Sequence, residues 1–327
     1  MHKYDLIIIG GGPSGINVAQ YAAQKGLSYL ILEKGQLVNS IVHFPDNMTF
    51  FSTSRKLEIA GVPFISHTDK PSRREALEYY RRLVQSNQLN VHLYEPVLEM
   101  RPIAGNQAYT IRTTKDQYQA SHIVVATGFY DTPRLLNVPG EKLPKVKHYY
   151  DDAHAYIGQK VLVIGAANSA CDVALECWQK GAEVTMAIRS HEIYSRVKYW
   201  IKPNIENRIA EGSIPAYFNT IVTAIYPDRV DLKGPEGDFS LDNDWVLAMT
   251  GYQPNAALLE ALNLEVDPED ACLPLHNAET LETNSPGVYL AGVVCAGKQT
   301  SKLFIENTRD HAEIIVEGIL AKQGAIA

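Results

Sequence analysis

Tyr4-Asp-Leu-Ile-Ile-Ile-Gly-Gly-Gly-Pro-Ser-Gly15 is the stretch that decides the fold. Leu6 to Ile9 is an apolar run of the kind buried in parallel sheets, and it empties into a G-x-G-x-x-G turn that opens a helix. Gly10 permits the tight turn, Gly12 lets a pyrophosphate approach the backbone, and Gly15 lets helix and strand pack closely. The free amides and the positive end of the helix dipole then face the phosphates. Small and apolar residues recur at Ile16, Ala19, Ala22 and Ala23 until Gly26 stops the helix. A second strand, Tyr29 to Leu32, ends at Glu33, placed to accept hydrogen bonds from a ribose. Strand, helix, strand and acid in register predict a dinucleotide-binding unit.

The rest of the chain has room for two domains in its 327 residues, and 46% hydrophobic with 20% charged residues is an ordinary globular composition. A net charge of −7 without a long basic stripe speaks against nucleic acid as a partner. Cys171, Cys177, Cys272 and Cys295 form no C-x-x-C or metal-ligand spacing, so neither a disulfide framework nor a metal site is expected. The apolar runs are too short to span a bilayer, and the first strand starts too early for a secretory signal. A cytoplasmic protein without a membrane partner is expected.

Lys160-Val-Leu-Val-Ile-Gly-Ala-Ala-Asn-Ser-Ala170 repeats the opening device. Its helix carries Ala170, Val173, Ala174, Cys177 and Trp178, Gly181 closes it, and a strand from Glu183 to Ile188 follows. The turn is a degenerate G-x-A-x-x-A, with Ala167 and Ala170 where the first copy has Gly12 and Gly15. Counting places Arg189 at the ribose position in place of an acid, with Ser190, Arg196 and Lys198 behind it. A carboxylate would repel a 2′-phosphate whereas arginine pairs with it, so the second site reads as one for NADPH.

Further strands exit through glycine at Ser121-His-Ile-Val-Val-Ala-Thr127-Gly128, at Asp244 to Gly251 and at Val288 to Gly292. Pro71 to Val84 predicts an amphipathic helix whose Arg73, Arg74, Arg81 and Arg82 form either a solvated face or a basic mouth for an anionic substrate. Val91 to Arg101 and Tyr109 to Thr114 predict strands around a Gly105-Asn106 turn, and Phe304 to Ala321 a final helix. His43, His148 and His311 have no partner at catalytic spacing and read as structural.

Together these residues resemble the thioredoxin-reductase-like branch of the two-dinucleotide-fold flavoproteins, over nearly the whole chain. The resemblance implies an α/β protein of two Rossmann-like domains. An FAD-binding domain, residues 1–131 and 250–327, would carry an inserted NADPH-binding domain, residues 132–249. It implies FAD binding by Gly10, Gly12, Pro13, Ser14, Gly15, Glu33, Lys34, Thr127, Gly128, Gly292 and Ile305. NADPH would be held by Gly165, Ala167, Asn168, Ser169, Arg189, Ser190 and Arg196.

Two departures narrow the resemblance. The family dithiol is absent, since Ala170-Cys-Asp-Val-Ala174 has no second cysteine at that spacing, and the usual Ala-Gly-Asp is Ala291-Gly-Val293. Met48-Thr-Phe-Phe-Ser-Thr-Ser54, Leu57-Glu-Ile59, Lys70-Pro-Ser-Arg-Arg-Glu-Ala-Leu-Glu-Tyr-Tyr-Arg-Arg82, Tyr199-Trp-Ile-Lys-Pro-Asn-Ile-Glu-Asn-Arg208 and Phe304-Ile-Glu-Asn307 are similar to the YpdA-type bacillithiol disulfide reductases. That implies an enzyme passing hydride from NADPH to FAD and then to a low-molecular-weight disulfide, or to a small redox protein, as a homodimer or homotetramer. The position of the redox cysteine proposed in that family is Ser14 here, and a hydroxyl forms no mixed disulfide. Cys295, after the last strand, is the other redox candidate. Alternatives are a ferredoxin or flavodoxin NADP reductase, a flavin monooxygenase-like enzyme and a non-catalytic redox sensor.

Overall fold

The computed structural model describes residues 2–105 and 108–326 and divides the chain into two compact units. Unit 1 comprises Met1–Val42, Met48–Thr132 and Tyr252–Ala327; unit 2 comprises His43–Asn47 and Pro133–Gly251. Unit 2 thus runs two residues beyond the expected boundary at 249 and takes in a short segment near residue 45, which no composition shift marks.

In unit 1, β1 (His2–Ile9) is followed by α1 (Pro13–Gln24) and β2 (Tyr29–Leu32). Two single-turn helices, α2 (Asn39–Val42) and α3 (Ser54–Leu57), precede α4 (Arg73–Ser86). Ser72 caps α4 through a capping box with Glu75, so the helix starts two residues later than its apolar stripe suggests. The expected strand over 91–101 divides into β3 (Val91–His92), parallel to β2, and β4 (Val97–Pro102), antiparallel to β5 (Tyr109–Thr113). Asn106, in the expected turn between β4 and β5, lies outside the described residues.

β6 (Gln117–Val125) is the hinge of this sheet's topology. One edge of β6 pairs in parallel with β1 along its length. The other is shared: Gln117–Ala120 pair antiparallel with β5, and Ile123–Val125 pair parallel with a late strand, Val288–Leu290. The glycine exits after Ile9, Val125 and Leu290 therefore emerge together at one end of the sheet, where open α/β sheets bind ligands.

Unit 2 repeats the plan. β7 (Val146–Lys147), β8 (Lys160–Ile164), α5 (Asn168–Gln179), β9 (Glu183–Ala187), α6 (Lys202–Ala210) and β10 (Ala216–Tyr217) precede an antiparallel sheet of β11 (Ile221–Ile225), β12 (Arg229–Gly234) and β13 (Gly237–Asp242). β14 (Trp245–Ala248) then completes a parallel sheet of order β10-β9-β8-β14-β7. Cys171 and Cys177 pack with Val163, Val173, Met186 and Leu247 in its core. The chain returns to unit 1 through α7 (Ala256–Ala261), the ribbon β15 (Val266–Asp267) and β16 (Asp270–Pro274), β17 (Val288–Leu290) and α8 (His311–Ile326).

Two expectations need correction. The last helix begins at His311, not Phe304. Asn307 Oδ1 accepts from the Phe304 amide at 2.7 Å and the Thr308 hydroxyl donates to the Phe304 carbonyl at 2.9 Å. These local side-chain bonds compete with helix over residues 304–308. Nor is Arg73 solvated: it is half-buried, and its guanidinium donates to the carbonyls of Ile41, at 3.1 Å, and Val42.

Candidate functional site: two dinucleotide turns

In the first turn, Gly10 has φ +115°, and a side chain there would stand 2.5 Å from the Ala126 carbonyl oxygen on the neighbouring β6 exit. A methyl at Gly15 would run into the Gly10 carbonyl itself. Gly12 faces open space, and Pro13 starts α1 without consuming an amide needed elsewhere. Ser14 lies against Gly292, where a side chain would collide with its hydroxyl. The Gly292 amide donates to His311 Nδ1 at 3.1 Å, which ties the β17 exit to the start of α8. Burial lowers the His311 pKa, and Asp310 raises it less, so the ring is neutral with its proton on Nε2. His311 is thus a hydrogen-bonded structural histidine, in keeping with the sequence reading.

Glu33 is buried at the end of β2 and accepts from the amides of Gly11 at 2.7 Å and Gly35 at 2.8 Å. Burial pushes its carboxyl up, partly offset by those two amides. Lys34 makes an ion pair with Asp131 at 3.0 Å, a partner nearly a hundred positions away that no local pattern discloses. Thr127 and Gly128 lie half-buried at the β6 exit, and Ile305 lies in the non-helical segment before α8. Open space above Gly12, free amides at the α1 start and a buried carboxylate at the ribose end fit the adenosine diphosphate part of a dinucleotide.

The second turn has the same backbone plan. Gly165 has φ +133°, and a side chain there would stand 2.6 Å from the Met249 carbonyl oxygen at the β14 exit. The Gly165 amide donates to Ala187 O at 3.1 Å, as that of Gly10 does to Leu32 O at 2.9 Å. Register corrects the sequence count here. Ile9 pairs with Leu32 and Ile164 with Ala187, so Glu33 corresponds to Ile188, and Arg189 to Lys34. The acid is replaced by a buried isoleucine, and the arginine comes one residue later. Arg189, Ser190 and Arg196 are exposed, and among the described residues neither arginine has a carboxylate within ion-pair distance. Asn168 opens α5, and its Oδ1 accepts from the Lys198 amide at 2.8 Å; Ala167 and Ser169 are exposed beside it.

None of the four cysteines forms a disulfide, and all four are buried. Burial pushes the thiols of Cys171, Cys177 and Cys295 up to about 12. Cys295 packs with Leu290 and Val294 in the sheet core, the reverse of the exposed, electropositive setting a redox thiolate needs. No group of three or more potential metal ligands is found among the described residues, and no helix is long and apolar enough to cross a membrane.

Residues 7–292 match the model of the pyridine nucleotide-disulphide oxidoreductase family. The chain belongs to that family. Bacilliredoxin reductase Bdr of Bacillus subtilis is 41% identical over 99% of both chains. The structure of the bacillithiol disulfide reductase Bdr (YpdA) from Staphylococcus aureus superposes with a TM-score of 0.94 at 41% identity, covering 98% of this chain and 99% of that one. The Bacillus cereus counterpart gives 0.95 at 38%, covering 98% and 100%. This chain is therefore an oxidoreductase of the thioredoxin-reductase-like kind, using a flavin and a pyridine nucleotide.

Proposed function

We propose that unit 1 holds FAD and unit 2 holds NADPH, and that the enzyme reduces the disulfide of bacillithiol or of a small bacillithiol-linked redox protein. The net reaction breaks one S–S bond: NADPH, a proton and the disulfide give NADP+ and two thiols. A bound flavin supplies hydride acceptance and two-electron delivery. The observation that carries the reading is the contrast between the two turns, a buried carboxylate ending one and unpaired arginines ending the other.

In unit 1, Gly10, Gly12, Pro13, Ser14 and Gly15 receive the pyrophosphate and Glu33 the ribose. Thr127, Gly128 and Gly292 border the same end of the sheet, with Lys34 and Ile305 at its margin. His311 fixes the Gly292 backbone there. In unit 2, Gly165, Ala167, Asn168 and Ser169 form the pyrophosphate turn, while Arg189, Ser190 and Arg196 read the 2′-phosphate. The substrate class follows from the likeness to the Bdr enzymes across the full chain. With Ser14 in the turn and every cysteine buried, electrons reach the acceptor without a thiol of this chain. The setting is a reducing cytoplasm, and the assembly a homodimer or homotetramer, which light scattering measures directly.

Anaerobic stopped-flow tests the reading. NADPH is expected to bleach the flavin faster than NADH, and bacillithiol disulfide to restore the colour. Reoxidation by ferredoxin alone would move the enzyme to the ferredoxin-NADP reductases.

A further inference from the structure

Lys198 looks by position like a phosphate ligand, two residues beyond Arg196 and at the mouth of the second turn. Its bonds say otherwise. Nζ lies 2.8 Å from Asp172 Oδ2, the lysine side chain is only 13% exposed, and the ammonium lies 5.8 Å from the centre of the Trp200 ring. The charge is thus neutralised by α5, which leaves little field for a phosphate. The same residue is tied to α5 a second time, through its amide to Asn168 Oδ1 at 2.8 Å.

The loop behind it is fastened along its length. Ile193 and Val197 are 4% and 5% exposed in the unit 2 core, and the Tyr194 amide donates to Ala166 O in the turn at 3.0 Å. The Ser190 carbonyl accepts from Asn219 at 3.0 Å. Arg189, Ser190, Ser195 and Arg196 face outward, along with His191, Glu192 and Tyr194. Arg196 is thus carried on a strap whose far end is held by the buried Val197 and by the side-chain latch of Lys198.

We propose that Asp172 and Lys198, with Asn168 as the main-chain anchor, are positioning residues that latch the 189–198 strap to α5 and hold Arg196 where it reads the 2′-phosphate. The inference rests on unit 2 taking NADPH. A preorganised strap spares the ligand the cost of ordering it. A ligand lacking the 2′-phosphate makes no use of Arg196, so a loose latch penalises only the phosphorylated one. The Asp172–Lys198 pair is a selectivity device that acts through the strap, and Asn168 ties that strap to the pyrophosphate turn.

The test is calorimetric titration of 2′,5′-ADP and of 5′-AMP into the flavin-loaded enzyme. Asp172→Asn is expected to weaken 2′,5′-ADP by about fivefold to tenfold, the scale on which preorganisation acts, and to leave 5′-AMP unchanged. If Lys198 were itself a phosphate ligand, freeing its ammonium would tighten 2′,5′-ADP, which overturns the proposal. Equal weakening of both ligands, or of neither, overturns it as well. Lys198→Met keeps the apolar stem and is expected to show the same selective loss should Asp172→Asn fold poorly. Arg196→Ala and Arg189→Ala separate the two levels. If they leave 2′,5′-ADP binding intact, the NADPH reading falls. If they weaken it while Asp172→Asn does not, the latch alone falls.

Discussion

The two glycine turns of this chain share a backbone plan and differ in their side chains. Where Gly15 would drive a methyl into the Gly10 carbonyl, the second copy carries Ala170, whose Cβ lies 3.1 Å from a side chain built on Gly165. Where Gly12 opens on empty space, the second copy has Ala167. Where Glu33 is buried on two amides, the second copy buries Ile188 and exposes Arg189. The strand-turn-helix geometry makes a place for a pyrophosphate in both copies. On the proposed function, selection between nucleotides is left to one buried position and its exposed successor.

The largest effect is expected from erasing the first contrast. Gly15→Ala forces α1 off the turn, destabilises the protein by about 1–3 kcal/mol as overpacking does, and yields colourless protein on purification. Ala170→Gly costs only about 1 kcal/mol of helix propensity and keeps the flavin. Equal flavin content in the two variants would remove the distinction.

Next comes the charged end of the second copy. Replacing Arg189 and Arg196 together by alanine is expected to lower kcat/KM for NADPH by about 10- to 100-fold, the range of charge-assisted hydrogen bonds, while NADH changes little. A uniform loss would mean that the arginines only shape the domain.

A smaller effect concerns Glu33 in the flavin-free protein. Burial raises its carboxyl, so the folded chain keeps that proton to a higher pH than the unfolded chain does. The contribution to stability is therefore complete below the ordinary carboxylate value and lost as pH rises through the raised folded one. Urea titrations should show wild type losing stability relative to Glu33→Gln as pH is raised from about 4.5. A constant difference would place the carboxylate in water.

The smallest effect is expected at the cysteines. Cys295→Ala should change disulfide turnover by less than about twofold, because a buried thiol held near 12 supplies almost no thiolate at neutral pH. Loss of turnover with the flavin retained would restore a thiol step.

Local spacing made the first unit legible from sequence, because strand, turn, helix and acid follow one another within one βαβ device. The second copy was legible as a repeat, but the acid's counterpart was misplaced by one residue, since only strand register pairs Ala187 with Ile164. The β11–β13 sheet was missed although Val230-Asp-Leu232 and Phe239-Ser-Leu241 alternate apolar and polar residues, a strand signal the sequence does carry. The start of α8 was misplaced because Asn307 and Thr308 bond their own backbone. Lys34–Asp131 and Lys198–Asp172 were invisible because each joins segments distant in the chain.

The most direct test is a crystal structure of the protein with FAD and NADP+ bound. The account predicts the FAD adenosine ribose on Glu33 and the 2′-phosphate of NADP+ between Arg189 and Arg196. The phosphorylated ribose on Glu33, or a 2′-phosphate that meets neither arginine, would contradict it.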